Sequence, residues 1–322
     1  MKYELLYQDL LNQLRNQIPQ NSKLIAKLID ILSLEKMAVY RRLRQEVPFT
    51  FKEIITIAKE FNISLDNMLS ADARATHPFR LQSTKEESCV EIDYKLLEDC
   101  VKTIKKVASN QQGKISLITN LLPQSLFTGF NFILRFYYFK WQYYSVPADQ
   151  TKSYHEILLP DRLIQIAKDT FANLKNIKTG CYIIDNQVFQ KFINDVTYFN
   201  SIRLINNEDL LLIKKELLLF IDYMEEIAIK GFVDNPLNEV FIYISDTSID
   251  TSYCYIESSS SCRFALIWSF IFNSVLTFEE ETLEMMRHWI RSKIRTSTLL
   301  SVTSGKTRTQ YFDFQRKIAE QL

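Results

Sequence analysis

Residues 28–46 read LIDILSLEKMAVYRRLRQE and residues 49–69 read FTFKEIITIAKEFNISLDNML. An apolar stripe of Leu24, Ile25, Leu28, Ile31 and Leu32 runs into the first stretch and ends at Ser33. A short segment follows, Glu35 to Gln45, whose apolar positions Val39 and Leu43 stand four apart. Spacings of three and four put side chains on one helix face, so two helices joined by two or three residues are predicted. Thr50-Phe51-Lys52-Glu53 has the form of a capping box and opens another helix with Ile54, Ile57, Ala58 and Phe61 inward. Upstream, Tyr3, Leu6, Tyr7, Leu10, Leu14 and Ile18 mark a first helix that stops at Pro19, and Asn21 or Ser22 caps the second. A last turn begins at Ser64. Five short helices in residues 1–70 predict an all-α unit of helix-turn-helix form.

The segment 35–45 is unusually basic. With Val39 and Leu43 facing the core, Met37, Arg41 and Arg44 project from the opposite side. An arginine fork pairs with O6 and N7 of guanine in a major groove, and a methionine can touch a thymine methyl. Lys36 and Tyr40 flank that face within reach of phosphates. Arg42, nearer the core edge, suits a backbone phosphate or a neighbouring helix better than a base. Taken alone, three arginines in four positions also describe a solvated helix face.

Together the two stretches resemble the Cro/C1-type repressor helix-turn-helix, and more closely the BetR-like variants of bacterial transcription regulators, over residues 1 to about 70. In that family the helix after the recognition helix ends in an Ala-Lys pair, followed by an Asn or Gly turn and Ser-Leu-Asp. Ala58-Lys59, Asn62 and Ser64-Leu65-Asp66 fit this pattern. Two positions depart from it: Ser33 stands where the turn usually has glycine, and Ile29 where a small residue is usual. Ser33 must then carry a backbone conformation that glycine adopts more easily. The resemblance implies a sequence-specific, dimeric DNA-binding transcription regulator with residues 35–45 in the major groove of double-stranded DNA. Ser33, Lys36, Met37, Tyr40, Arg41, Arg42 and Arg44 form its DNA-binding set. The alternative is a protein-interaction module whose helical unit binds a partner protein instead.

A chain of 322 residues, 47% hydrophobic and 24% charged, has room for two globular domains. Residues 71–91 lose periodicity around Pro78 and read as a linker. Residues 92–322 read as a larger domain for dimerisation and for sensing a small-molecule effector, whose identity nothing in the sequence names. The fold class expected is α+β and predominantly helical: the five-helix unit, then a larger helical domain with a small antiparallel sheet. Its strands are placed at 115–120, at 240–244 and 253–256 as a hairpin pair, and at 264–272. Leu97, Cys100, Val101, Ile104 and Val107 mark a helix, as do residues 161–177, 188–205 and 207–230, the last stopped by Gly231. The aromatic stretch 127–145, FTGFNFILRFYYFKWQYYS, predicts a helix buried on more than one face, inside the domain or against a second copy. Thr277-Phe278-Glu279-Glu280 forms a second capping box, and residues around Arg308, Tyr311, Phe312 and Phe314 a terminal helix.

Other classes of function find little support. The chain has 5 glycines, where average usage would give roughly 20, and no G-x-G-x-x-G. Ser304-Gly305-Lys306-Thr307 lacks the first glycine of a phosphate loop, since Leu300 stands in its place, and reads as a surface turn. Cys89, Cys100, Cys181, Cys254 and Cys262 are odd in number with no C-x-x-C, and His77, His155 and His288 stand apart from them and from one another. Neither a disulfide framework nor a zinc site is expected, and with no G-x-S-x-G the chain is not expected to be an enzyme or to hold a cofactor. Glu4 and Asp9 argue against an amino-terminal targeting segment. The most apolar stretch, 264–276, is too short to span a bilayer, so a cytoplasmic protein without a membrane segment is expected. Net charge is +1 overall, divided as +2 over residues 1–70, −7 over 71–286 and +6 over 287–322. The basic end is expected to lie across the acidic middle of its own chain.

Overall fold

The computed structural model describes residues 2–61, 63, 65, 80–82, 94–259, 262–269, 273–302 and 305–322. They divide between two units, Met1–Pro78 and Phe79–Leu322.

In the first unit the apolar stripes become α1 (Lys2–Gln17), α2 (Asn21–Leu32), α3 (Lys36–Leu43) and α4 (Phe51–Glu60). The last turn expected from Ser64 falls largely outside the described residues. Leu10, Leu11 and Leu14 of α1, Leu24, Ile25 and Leu28 of α2, Val39 and Leu43 of α3, and Ile57 of α4 meet in one core. Phe49, Phe61 and Ile63 from the connections close it. The Tyr7 hydroxyl donates to the Arg42 carbonyl at 3.2 Å and accepts the Phe49 N–H at 3.1 Å. Burial holds that hydroxyl above its ordinary pKa, so it keeps the proton it donates.

The second unit is a single mixed sheet with helices on both faces. Its strands are β1 (Arg80–Gln82), β2 (Lys114–Thr119), β3 (Thr179–Asp185), β4 (Glu239–Ser245), β5 (Tyr253–Ser259), β6 (Cys262–Ser269), β7 (Asn273–Thr277) and β8 (Ser297–Leu299), in the order β1-β7-β6-β5-β2-β3-β4-β8. Pairings β2–β3 and β3–β4 are parallel, and every other pairing is antiparallel. This corrects the expected small antiparallel sheet. β4 and β5 do not form a hairpin: β5 lies on the far side of β2, with Lys114 facing Glu257, while β4 lies beside β3. The polar run 246–252 between them therefore crosses the end of the parallel strands. Parallel neighbours need crossover connections, supplied here by helices. α6 (Gln124–Phe127), α7 (Asn131–Ser145) and α8 (Asp161–Leu174) join β2 to β3, and α9 (Val188–Ser201) and α10 (Asn207–Lys230) join β3 to β4. α5 (Tyr94–Ala108) precedes β2, α11 (Glu280–Arg295) precedes β8, and α12 (Gly305–Ala319) ends the chain. Arg80–Gln82, inside the expected linker, is strand, and Gly305-Lys306-Thr307 is the first turn of α12 where a surface turn was expected.

Alternation along the strands sorts the two faces. Leu117, Tyr182, Ile184, Val240, Ile242, Cys254 and Ile256 join the large core with α7, α9, α10 and α12. Ile118, Ile183, Tyr255 and Ala265 face Leu283 and Ile290 of α11. The aromatic helix α7 lies inside the unit, with Phe136, Tyr137, Phe139 and Trp141 buried. Phe136 meets Phe192 and Phe199 of α9 edge-on at 5.0 and 6.1 Å. The Ile133 N–H in the first turn of α7 donates to Glu216 of α10 at 2.7 Å. Gly231 closes α10 at φ 75°, as a left-handed cap does.

The second capping box is not formed. α11 begins two residues later than expected, capped by Glu279, whose carboxylate accepts the N–H groups of Glu281 and Thr282 at 3.0 and 2.6 Å. Thr277 ends β7, and its hydroxyl accepts the Glu279 N–H at 3.2 Å. The basic end does meet acidic partners of its own unit: Arg316 of α12 pairs with Asp222 at 2.9 Å and with Glu225, both on α10. Among the described residues no helix is long and apolar enough to cross a membrane.

Candidate nucleic-acid interface

α2 ends at Ser33 with φ 53° and ψ 41°, the left-handed conformation that the glycine-like position demands. Three residues later α3 starts at Lys36 with Glu35 extended as its cap. The expected helix over 35–45 stops at Leu43, and its end is a hydrogen-bonded motif. Arg44 caps it, Gln45 turns left-handed at φ 64°, and the Gln45 and Glu46 N–H groups donate to the Arg42 and Arg41 carbonyls at 3.0 and 2.9 Å. Gln45 thus occupies the place glycine usually holds in a Schellman ending. Pro48 follows soon after.

Eight residues give α3 two turns, enough to separate an inner from an outer face. Val39 and Leu43 are buried, while Ser33, Lys36, Met37, Arg41 and Arg44 are exposed and Tyr40 is half-buried between them. Arg44 lies over the Tyr40 ring at 5.8 Å from its centroid. Both exposed arginines have a nearby counter-charge in Glu46, at 3.6 Å from Arg41 and 3.9 Å from Arg44. Such open pairs are weak, so a phosphate or a guanine edge can displace them.

Arg42 stands apart from this set. Its guanidinium holds both carboxylate oxygens of Glu53 at 2.9 Å, a bidentate pair with side chains only 14% and 12% exposed. Glu53 also accepts the Thr50 N–H at 2.7 Å, and the Thr50 hydroxyl accepts the Glu53 N–H, so the expected capping box is formed. Burial pushes the Glu53 carboxyl up, but Arg42 and the Thr50 N–H outweigh it and hold the group below its ordinary value. One carboxylate thus caps α4 and fixes α3 against it. Of the two partners expected for Arg42, the structure supplies the neighbouring helix. Glu53 and Glu46 were missed as parts of the site. Glu53 could have been found as a capping-box carboxylate eleven residues beyond an inward arginine.

Among the described residues no three His, Cys, Asp or Glu side chains gather as metal ligands. His155 and His288 are exposed, and His77 lies outside the described residues.

Residues 4–119 match the family model of the BetR domain. The match supports a BetR-type helix-turn-helix in the N-terminal part of the chain, and it runs past the first unit through α5 and β2 of the second. No curated protein matches the sequence, and no solved structure does.

Proposed function

We propose that the chain is a sequence-specific DNA-binding transcription regulator of Cro/C1 type, cytoplasmic and not an enzyme, which binds double-stranded DNA as a homodimer. The observation that carries this reading is the outer face of α3. Lys36, Met37, Arg41 and Arg44 are exposed there behind the left-handed turn at Ser33, within the span that matches the BetR domain. Arg41 and Arg44 read base edges in the major groove, Met37 contacts a thymine methyl, and Ser33, Lys36 and Tyr40 reach phosphates. Arg42 is a positioning residue, acting through Glu53. The C-terminal unit dimerises and receives a small-molecule effector. Apolar side chains exposed along α10, Leu211, Leu219 and Ile229, support a homodimer formed there.

The test is selection of bound sequences from random duplex DNA by the full chain, with fluorescence anisotropy on the recovered site. A motif of two half-sites about one helical turn apart is expected. With about four phosphate contacts per half-site, log affinity falls with log salt at a slope of about −7. Arg41→Ala with Arg44→Ala abolishes retention while sedimentation shows the same oligomer. No enrichment at low salt overturns the reading in favour of a protein-interaction module, for which exposed Met37, Phe51 and Ile55 supply an apolar surface.

A further inference from the structure

A partly open pocket of about 170 Å³ lies in the C-terminal unit, walled by the strands β2, β5 and β6 and the helices α5, α6, α7 and α8. Protein interiors are packed to crystal-like density with few voids larger than a water, and an apolar void of about 150 Å³ is known to stay dry and to accept benzene. The chemistry of the walls narrows the occupant. Among the described residues that line the cavity none is charged, so a carboxylate, phosphate or ammonium group would lose its hydration without a partner. Phe127, Tyr137 and Trp268 contribute aromatic rings to the wall, which suits a flat aromatic guest. Thr128 is one of the lining residues, and its hydroxyl is buried without a hydrogen-bond partner, a condition that a guest carrying one polar group would relieve.

We propose that this cavity is the effector site, and that it takes a small uncharged aromatic molecule of about the size of indole with one hydrogen-bonding group directed at Thr128. The regulatory part rests on the DNA-binding reading above. α5, which supplies Leu97, Cys100 and Ile104 to the wall, is the first helix of the second unit among the described residues and lies within the BetR match. A guest under α5 therefore touches a segment of the span that matches the BetR domain. A ligand shifts DNA affinity only by its differential affinity for the two states.

The experiment is calorimetric titration of the full chain with indole and with indene, which has the same shape but no N–H. Saturable 1:1 binding is expected, with indole favoured by about fivefold for its hydrogen bond. Ala167→Phe fills the cavity from α8, where Ala167 is buried at its wall, and should weaken both probes by roughly tenfold or more while raising the melting temperature. Thr128→Val, close in shape to the parent, should bring the two probes to equal affinity and keeps the test open if the filled variant does not fold. Absence of saturable heat for both probes overturns the site, as does a folded Ala167→Phe variant that binds like the parent. A second arm adds indole to the complex with the selected duplex. A shift of the DNA midpoint by about threefold or more is expected, and an unchanged midpoint overturns the regulatory role while leaving the site. Indole binding by a chain that retains no DNA overturns the regulator reading alone.

Discussion

In the N-terminal unit the core is built from side chains three or four apart on short helices, closed by Phe49, Phe61 and Ile63 from the connections, and all its buried members lie between residues 10 and 63. In the C-terminal unit β2 is held between β3 and β5, strands that begin 65 and 139 residues after it. The first unit is a local structure tied at a few polar points, among them Tyr7, Thr50 and the Arg42–Glu53 pair. The second is a non-local one tied by aromatic bulk.

Removing the aromatic anchor should separate the two most sharply. Phe136→Ala deletes a fully buried ring that touches Tyr137, Phe139, Phe192 and Phe199. It is expected to cost about 3–5 kcal/mol. The three tryptophans, Trp141, Trp268 and Trp289, all lie in the second unit, so tryptophan fluorescence during urea unfolding reports that unit alone. Its midpoint should fall, while DNA affinity of the folded protein stays within about twofold. A variant that loses both together would break the comparison.

The mirror experiment is Arg42→Ala, which leaves Glu53 without its guanidinium. A loss of about 2 kcal/mol is expected in the first unit, read as an earlier helical transition by circular dichroism with the tryptophan transition unmoved. A smaller effect comes from pH. Because Glu53 is held below its ordinary value of 4.5, the folded first unit binds its proton less readily than the unfolded chain. The Glu53 contribution is complete above about pH 4.5 and is lost as pH falls through the lower folded value. Glu53→Gln should flatten the acid limb of the first transition and leave the second unchanged. Smallest is Ser33→Gly. A non-glycine residue in the left-handed region costs about 1–2 kcal/mol, and glycine's larger loss of freedom on folding returns roughly half to one of that. A net gain of about 0.5 kcal/mol is expected, read as a small rise in the first transition.

Legibility in the sequence followed the same divide. Periodicity located α1 to α4, the Thr50 box and the outward Met37, Arg41 and Arg44, since a helix brings residues three and four apart together whatever surrounds it. The left-handed turn at Ser33 was visible as a glycine position without glycine. The end of α3 was not, because Gln45 closes it through backbone bonds that its side chain does not announce. In the second unit β2, β4, β5 and β6 were visible as branched and aromatic runs, but β1, β3, β7 and β8 were not, and neither were the partners of the visible strands. Val240 to Ile244 and Tyr253 to Ile256 are near in sequence, yet the parallel neighbour of β4 was supplied by residues sixty positions earlier. The shift of the α11 cap from Thr277 to Glu279 has a similar cause, since β7 claims Thr277 for the sheet. The role of Arg42 depended on Glu53, whose capping pattern accounted for it locally and hid its second partner.

The position of β2 also bears on how the chain is made. As residues leave the ribosome, β3 is available to β2 long before β5, which follows β3 by 74 residues. At about 5–20 residues per second, the other edge of β2 waits on the order of 4–15 s for its antiparallel neighbour. During that interval Lys114 to Thr119 offers unpaired N–H and C=O groups to any extended strand nearby. The described part of the first unit is helical and its core spans residues 10–63, so it presents no strand edge that waits on residues made so much later. Chains that end before Tyr253 would keep that edge open for good.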